Sequence, residues 1–194
     1  MSTTTLDQDK AALIEKAIDR ARTRKGTGGP PHEAVDVLLP AYYRHVAPED
    51  VIGRADVDVY GALASHWKLA AERPQGTAQV HVFTPSLADH GWSAGGHTVV
   101  EVVTDDMPFL VDSLTMELAR QQRSVHVVVH PHFDVSRDIT GGLESVTPVA
   151  DGSLEPASGA VRESWMHVEI DRGSDPDALH QLESQARSPR WPGL

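Results

Sequence analysis

Histidines alternate with apolar residues in two stretches of the chain, a spacing that places several imidazoles on one side of a β-sheet. In 125–135 they occupy one alternation while valines and a phenylalanine occupy the other, and 164–170 repeats the pattern. The polar positions are His126, His130 and His132 in the first stretch and His167 and Glu169 in the second. Imidazole and carboxylate groups are zinc ligands. Strand residues two apart lie about 7 Å apart, so one ion is held only where the side chains converge.

Two adjacent carboxylates, Asp105 and Asp106, follow an apolar run and precede Met107-Pro108. As a pair they have the residue types for acid–base catalysis. The interpretation that we favour is helix capping, because a carboxylate accepts from free N–H groups and proline lacks an N–H to lose in a first turn. Ser113 follows Asp112, but no Gly-x-Ser-x-Gly motif surrounds it. We therefore predict no catalytic residue in the chain.

The first part of the chain, 1–76, is predicted to be a helical segment. Apolar residues recur at helical spacing in three stretches, with a Gly/Pro-rich hinge near 26–31 after the first and Arg73-Pro74-Gln75-Gly76 after the third. The first residues have no signal-peptide pattern, and no apolar run approaches the roughly 18 residues that span a membrane. We therefore expect a cytoplasmic protein.

The second part, 77–187, predicts an α+β module. The order from His97 is strand, helix, strand, weak strand, strand and helix, which is most of a ferredoxin-like β-α-β-β-α-β unit. Asp175-Pro176 marks the start of the last helix. The chain ends in 188–194, an irregular tail where the last strand should follow, so the module is an incomplete βαββα unit. The short strand predicted at 78–83 offers an alternative way to fill the empty sheet edge.

A partner-facing surface is the interpretation that we favour for the alternating histidines. A ferredoxin-like sheet carries helices on one side, and Trp165 shares the other side with His126, His130, His132 and His167. A large aromatic side chain among histidines on an exposed face is typical of a partner surface. The alternative is a Trp165 that faces the core in a shifted register.

Charge and composition exclude several classes of function. The chain has 194 residues, no cysteine and a formal net charge of −11, and 16 acidic but only 7 basic residues follow His97. An acidic surface disfavours nucleic acid and anionic membranes as partners. Without cysteine there are no disulfides, thiolate zinc sites or iron–sulfur clusters. No phosphate-binding glycine motif follows a strand, so we expect no bound cofactor. We also expect no bound metal.

The run from Thr98 through Asp105-Asp106-Met107-Pro108-Phe109 to Leu118, followed by 125–131, resembles the N-terminal region of the large NAD-dependent glutamate dehydrogenases of bacteria. The segments 163–170 and 90–97 are similar to that family as well, so the resemblance covers roughly 35–182. The valine-rich strands alone would mean little. The run from Asp105 to Ser113 is the specific part.

The resemblance implies an ACT-like module, a ferredoxin-like unit that often senses amino acids. It also implies a catalytic domain far downstream, which oxidatively deaminates L-glutamate to 2-oxoglutarate and ammonia with NAD as the cofactor of the full-length enzyme. None of that machinery matches a position in this chain. We therefore expect a regulatory or assembly region that is inactive alone. Its expected partners are the remaining domains or subunits of a large homo-oligomeric enzyme.

Ligand-binding ACT modules have a glycine after the proline of the first strand–helix turn, where this chain has Phe109. This departure favours assembly over sensing. If a ligand binds, the resemblance and the free N–H groups of a helix N-terminus place it at Asp106, Met107, Pro108 and Phe109. A stand-alone amino-acid sensor is the alternative function. The Pro/Arg/Trp-rich tail further suggests a truncated gene product or an annotation boundary.

Overall fold

A six-stranded antiparallel sheet lies between two layers of helices. The computed structural model describes residues 3–24, 28–150 and 152–187. The helices are α1 (Thr3–Thr23), α2 (His32–Tyr42), α3 (Asp56–Ala70), α4 (Leu110–Arg120) and α5 (Pro176–Ala186), with a short 3-10 turn at Pro48–Asp50. The strands are β1 (Gln79–Phe83), β2 (Thr98–Asp105), β3 (Val125–Val129), β4 (His132–Arg137), β5 (Leu143–Pro148) and β6 (Val161–Ile170).

The strand order confirms the α+β, ferredoxin-like prediction and shows how the missing strand is replaced. The sheet has the order β1-β2-β6-β4-β5, and β3 also pairs with β6. Strand β1, which precedes the module's first strand in sequence, occupies the edge beside β2, where the last ferredoxin-like strand would lie. Helix α5 shields its free edge: Glu183 accepts from the N–H of Val82 at 3.1 Å, and Arg187 donates to the carbonyl of Val80 at 2.6 Å.

The single strand predicted over 125–135 is two strands. Both β3 and β4 pair with β6, one after the other: Val129 lies opposite His167, and His132 lies opposite Ser164. Between them Pro131 has no N–H to donate, and its carbonyl instead accepts from the N–H of Trp165 at 3.1 Å. The prediction was wrong at this point because proline interrupts a ladder that continues on both sides.

Helices cover both faces of the sheet, so the open face predicted for Trp165 and His167 is wrong. On one face α1, α2 and α3 pack over the Trp165 alternation, and Trp165 is fully buried. On the other face α4 and α5 pack over Met166, Val168 and Ile170. The reason is the N-terminal helical segment, which lies on the face that a bare ferredoxin-like unit leaves open. Trp165 therefore faces a core, but the shifted register of the alternative interpretation is wrong: the alternation of β6 is as predicted, and the helical layer covers its second face.

The helix after β2 begins later than predicted. Its first residue is Leu110, its N-cap is Phe109, and no side chain caps it, so Asp105 and Asp106 are not the predicted capping residues. Both carboxylates are bound elsewhere. The last helix begins as predicted: the Asp175 carboxylate accepts from the N–H of Asp177 at 3.0 Å, with Pro176 in the first turn.

Two sequence predictions fall wholly or partly outside the described residues. The irregular tail at 188–194 lies outside them, and so do residues 26 and 27 of the predicted hinge near 26–31. The division into 1–76 and 77–187 stays a prediction. Within the described part of the chain, no helix is long and apolar enough to cross a membrane.

Candidate functional site

The turn from β2 into α4 carries the predicted ligand residues, and the structure separates them. Asp106 turns back toward the sheet, where its Oδ1 lies 3.3 Å from Nε2 of His132. Met107 packs against the core under α4. Pro108 and Phe109 are exposed, Phe109 at 72% of its surface. The four residues thus do not line one pocket.

Phe109 has a left-handed backbone, with φ of +67°. This is the conformation that glycine adopts without cost and that other residues adopt at a cost of about 1–2 kcal/mol. Its carbonyl accepts from the N–H of Ser113 at 2.9 Å, which fixes the first turn of α4. The backbone at this position therefore has the geometry of a glycine although the residue is an exposed aromatic.

A cleft of about 270 Å³ opens beside Asp106, between the end of α2 and the ends of β4 and β5. His45, His132 and Arg162 also line it. The Arg162 guanidinium is already bound to Asp134, at 3.0 Å between Nε and Oδ1. The cleft thus combines carboxylate and imidazole groups with a guanidinium that is held by an ion pair.

The histidines of the predicted partner surface do not share one face. His126 is exposed at the end of β3, 2.7 Å from Oδ1 of Asp171, and its ring stacks on His97 at 4.4 Å. His130 bonds the hydroxyl of Ser164, and burial, with His132 and His45 nearby, lowers its pKa to about 4. His167 lies in the core. The predicted surface is therefore wrong for Trp165 and His167, and His126 lies apart from the neighbouring pair His130 and His132.

The geometry of His130 and His132 does not favour a shared metal ion. The rings of His130 and His132 are 4.5 Å apart but inclined at 60°, and each has its own hydrogen-bonding or ion-pair partner. In residues 3–24, 28–150 and 152–187, no three His, Asp or Glu side chains are grouped so as to hold a metal ion.

A buried ion-pair network ties the segment after α3 to the sheet. Glu163 is fully buried on β6, and its Oε1 accepts from Arg73 and Arg137, each at 2.6 Å. Its Oε2 accepts from the indole N–H of Trp165 at 3.1 Å, and Arg73 also donates to Asp105 at 2.6 Å. Burial opposes ionisation, but hydrogen bonds from the two arginines hold the pKa of Glu163 below its usual value. Asp105 is therefore committed to a structural ion pair.

A second buried network lies under α3 and the loop before it. Nε2 of His167 is 3.3 Å from Glu169, and Nδ1 is 3.6 Å from Glu101. Arg54 binds both oxygens of Glu169 at 2.5 and 3.0 Å. Burial lowers the pKa of His167, but the carboxylates of Glu101 and Glu169 outweigh it and raise that pKa. The cationic form is thus favoured between two carboxylates, while Nδ1 of His167 and Oε1 of Glu101 have no hydrogen-bond partner in the described part of the chain.

His66 connects the helical layer to β2. Its Nε2 lies 3.1 Å from the Val102 carbonyl, which can only accept, so Nε2 carries the proton and Nδ1 accepts from the Tyr42 hydroxyl at 2.9 Å. Burial, with the nearby charge of His167, lowers the pKa of His66 to about 4 against the opposing effect of Glu101. His66 is therefore a neutral structural bridge.

Sequence reasoning missed the arginines and glutamates of these networks. Arg73 was interpreted only as part of a helix end, and Glu101 only as one position in an apolar strand. A charged residue within an otherwise apolar run is the signal that was available, because buried charges in proteins are paired. The partner could not be identified, since Arg73 and Glu163 are 90 positions apart.

Comparison with known proteins gives a consistent result. The family model described as "Glutamate dehydrogenase, ACT1 domain" matches residues 38–186. The chain is 34% identical over 150 residues to an NAD-specific glutamate dehydrogenase of Halomonas elongata and 31% identical over 149 residues to one of Pseudomonas aeruginosa. Each alignment covers 77% of this chain. A third relative with the same description, from Mycobacterium tuberculosis, is 32% identical over 121 residues, which is 62% of the chain.

These relatives are much longer than the chain. The aligned region spans only about 9% of the Halomonas and Pseudomonas proteins and 7% of the mycobacterial protein. No solved structure matches the fold.

Proposed function

The chain belongs to the ACT1-domain family of glutamate dehydrogenases, and we propose that it serves as a regulatory or assembly domain in a large NAD-dependent glutamate dehydrogenase. In that enzyme, L-glutamate is oxidatively deaminated to 2-oxoglutarate and ammonia by domains outside this chain, which also bind NAD. The partners of this domain are those domains or further subunits of a cytoplasmic homo-oligomer.

One observation carries this proposal: most buried ionisable side chains of the sheet are bound to one another. Asp105 and Glu163 bind Arg73. Glu101 and Glu169 flank His167. A catalytic acid or base needs access to a substrate proton, and a carboxylate buried under a helix has none. A domain whose ionisable groups join helices to a sheet is suited to maintain the structure of an enzyme or to transmit a structural change within it.

The proposed role can be tested in one of the long relatives. An NAD-specific glutamate dehydrogenase that lacks the residues matching 38–186 should change its oligomeric mass or lose an effector response, while each assembled active site keeps its kcat within about twofold, because no catalytic contact is removed. Light scattering and steady-state kinetics on the same preparation report the two quantities separately. An assembled enzyme with an unaltered mass and effector response but a collapsed kcat would contradict a regulatory or assembly role.

Amino-acid sensing is the second candidate function, and the cleft beside Asp106 favours it. An α-amino acid carries an ammonium and a carboxylate group, and the cleft of about 270 Å³ is lined by His45 and by Asp106, which contacts His132 at 3.3 Å. A sensor should gain about 2.7 kcal/mol of stability from a specific amino acid at 100 times its Kd. A thermal-shift screen of the twenty amino acids, repeated with Asp106→Asn, tests this. A flat screen removes the sensor and leaves assembly.

A further inference from the structure

A second cleft, of about 320 Å³, shares no lining residue with the cleft beside Asp106. Helix α3, strand β1 and the loop between β1 and β2 form its walls. We call it the aromatic cleft and define it by Phe83, Trp92, His81, His90 and Lys68, with Arg24 at its rim. Its volume lies at the lower end of the range for small-molecule sites, which are usually lined by aromatic and apolar side chains with a few polar groups.

Four aromatic rings meet in this cleft. His81 stacks on Phe83 with ring centroids 4.3 Å apart and planes inclined by 12°, and the tilted ring of His90 lies 5.2 Å from Phe83. Trp92 meets Phe83 edge-on at 6.0 Å. Phe83 and Trp92 are buried, whereas His81 and His90 are exposed. An exposed stack of flat rings on a rigid base provides a surface on which a planar ligand ring can stack.

The depth of the cleft is fixed by the absence of a side chain at Gly61. A Cβ at Gly61 would lie 2.3 Å from the Trp92 side chain, so the indole packs directly on the backbone of α3. The indole ring is in turn 6.2 Å from the ring of buried His167. The aromatic base is therefore held by the core of the molecule and is not a loop that settles on the surface.

Two cations line the same cleft of a chain whose net charge is −11. The Lys68 ammonium has no hydrogen bond or ion pair with another residue in the described part of the chain, and the Lys68 stem lies against Gly28, where any Cβ would collide with Cε at 2.7 Å. The Arg24 guanidinium lies 5.7 Å from the ring of Tyr60. The exposed lysine and the neighbouring guanidinium favour an anion at this end of the cleft.

His90 adds a directed hydrogen-bond donor. The backbone N–H of Ser86 donates to its Nδ1 at 3.2 Å, so Nε2 carries the proton of the neutral ring. Asp89, the acidic residue of the lining, accepts a hydrogen bond from the Ser86 hydroxyl at 2.6 Å. The carboxylate is thus bound within its own loop, and the imidazole can donate to a ligand.

We propose that the aromatic cleft binds a planar ring joined to an anionic group, with a nucleoside monophosphate as the best-fitting class. The base stacks on the ring of His81 or His90, and the phosphate binds Lys68 and Arg24. This site is separate from the cleft beside Asp106 and does not depend on the amino-acid sensor. The ligand of this site would be a nucleotide effector, and its phosphate would be bound without a phosphate-binding glycine motif.

Titration of the 194-residue chain with AMP, followed by two-dimensional amide NMR, tests the proposal. Saturable shifts are expected at amides of α3 and β1. Lys68→Ala should raise the Kd about tenfold or more, because it removes one contact to a charged group. Adenosine and inorganic phosphate should each bind at least about tenfold more weakly than AMP. Indole-3-carboxylate tests whether the anionic group of the ligand is a carboxylate instead of a phosphate. If it binds more tightly than AMP and depends equally on Lys68, the site is supported and its ligand is an aromatic carboxylate.

Lys16→Ala is the matched control. Lys16 is an exposed lysine of α1 outside the cleft, so its loss removes the same charge and should change the Kd by less than about twofold. Two results would overturn the proposal. One is the absence of saturable shifts at about 5 mM of AMP and of indole-3-carboxylate, a concentration that corresponds to negligible affinity. The other is equal weakening by both lysine variants, which would indicate long-range attraction without a site.

Discussion

The two faces of the sheet bury side chains of different chemistry. Under α4 and α5 the contacts are apolar, with residues such as Leu114, Leu118 and Ile170. Under α1, α2 and α3 the core contains apolar side chains together with Glu101, Glu163 and His167, all buried. The same strand contributes to both faces: Met166, Val168 and Ile170 of β6 lie on the apolar face, and Trp165, His167 and Glu169 lie on the other.

The difference shows how a ferredoxin-like unit acquires an additional layer. An apolar face needs only matching volume and tolerates rearrangement, whereas a buried ion pair requires each partner at one place. Arg73 and Arg137 meet at one carboxylate only if the segment after α3 and strand β4 are both correctly placed. We infer that the charged face fixes where the helical layer docks, and that the apolar face supplies stability with less positional demand.

The largest expected effect is on the charged face. Glu163→Gln should lower the free energy of unfolding by about 3–5 kcal/mol, because it leaves two buried guanidinium groups without their carboxylate. Urea denaturation measures this. Glu117→Gln is the matched control, since Glu117 pairs with a mostly exposed Arg120 and should lose less than about 1 kcal/mol. A loss below about 1 kcal/mol for the Glu163 variant would mean that the network does not position the layer.

The apolar face should respond next. Leu114→Ala removes a side chain that is 1% exposed and should cost about 3 kcal/mol through lost burial and the cavity left behind. Because no ionisable group is involved, this cost should be the same at pH 5 and pH 8. Met116→Ala on the exposed side of the same helix should cost less than about 0.5 kcal/mol. A cost that varied with pH would show that the two faces are not independent.

A smaller effect is expected from pH on the charged face. His66, which faces Tyr42, Glu101 and His167, has a pKa of about 4, below its ordinary value of 6.5. The unfolded chain therefore binds more protons between these values, and stability is lost as the pH falls from 6.5 to 4. His66→Gln should remove roughly 1–3 kcal/mol of that fall in urea midpoints measured across the range. An unchanged acid limb in the variant would indicate that His66 is charged in the folded state.

The smallest effect is expected at Phe109, where α4 begins. Phe109→Gly should stabilise the chain by about 0.5 kcal/mol, because relief of the left-handed strain exceeds the entropy lost by a more flexible residue. Phe109→Ala keeps the strain and serves as the control. Thermal unfolding of both variants provides the measurement. If the glycine variant were less stable by more than about 1 kcal/mol, the ring would have to make packing contacts that its exposure does not indicate.

Much of the fold was predictable because it is encoded locally. The alternation in 164–170 places Trp165 and Met166 on opposite faces, and Asp175-Pro176 marks a helix start that the structure confirms. The replacement of the missing strand by β1 was available as an alternative for the same reason. Period and capping depend on neighbouring residues, so one sequence is sufficient to read them.

The assignment of the second face to a helical layer was not predictable. Alternation identifies a face but does not say what covers it, and an exposed partner surface and an internal polar core have the same pattern. The bonds that settle the matter, such as Arg73 with Glu163, join residues distant in sequence. The helix start at Leu110 was missed for a related reason, because Asp105 and Asp106 bind long-range partners in preference to the local helix end.

We infer that the buried ionisable groups of the chain have structural roles. The most direct test of this inference is an activity assay on the purified chain. The folded chain is mixed with L-glutamate and NAD, and the formation of NADH is followed by absorbance. We expect no NADH formation that scales with chain concentration, either for the wild-type chain or for Asp106→Asn. Glutamate-dependent NADH formation that scales with the chain and is lost in the Asp106 variant would contradict the account and place a catalytic site at the turn into α4.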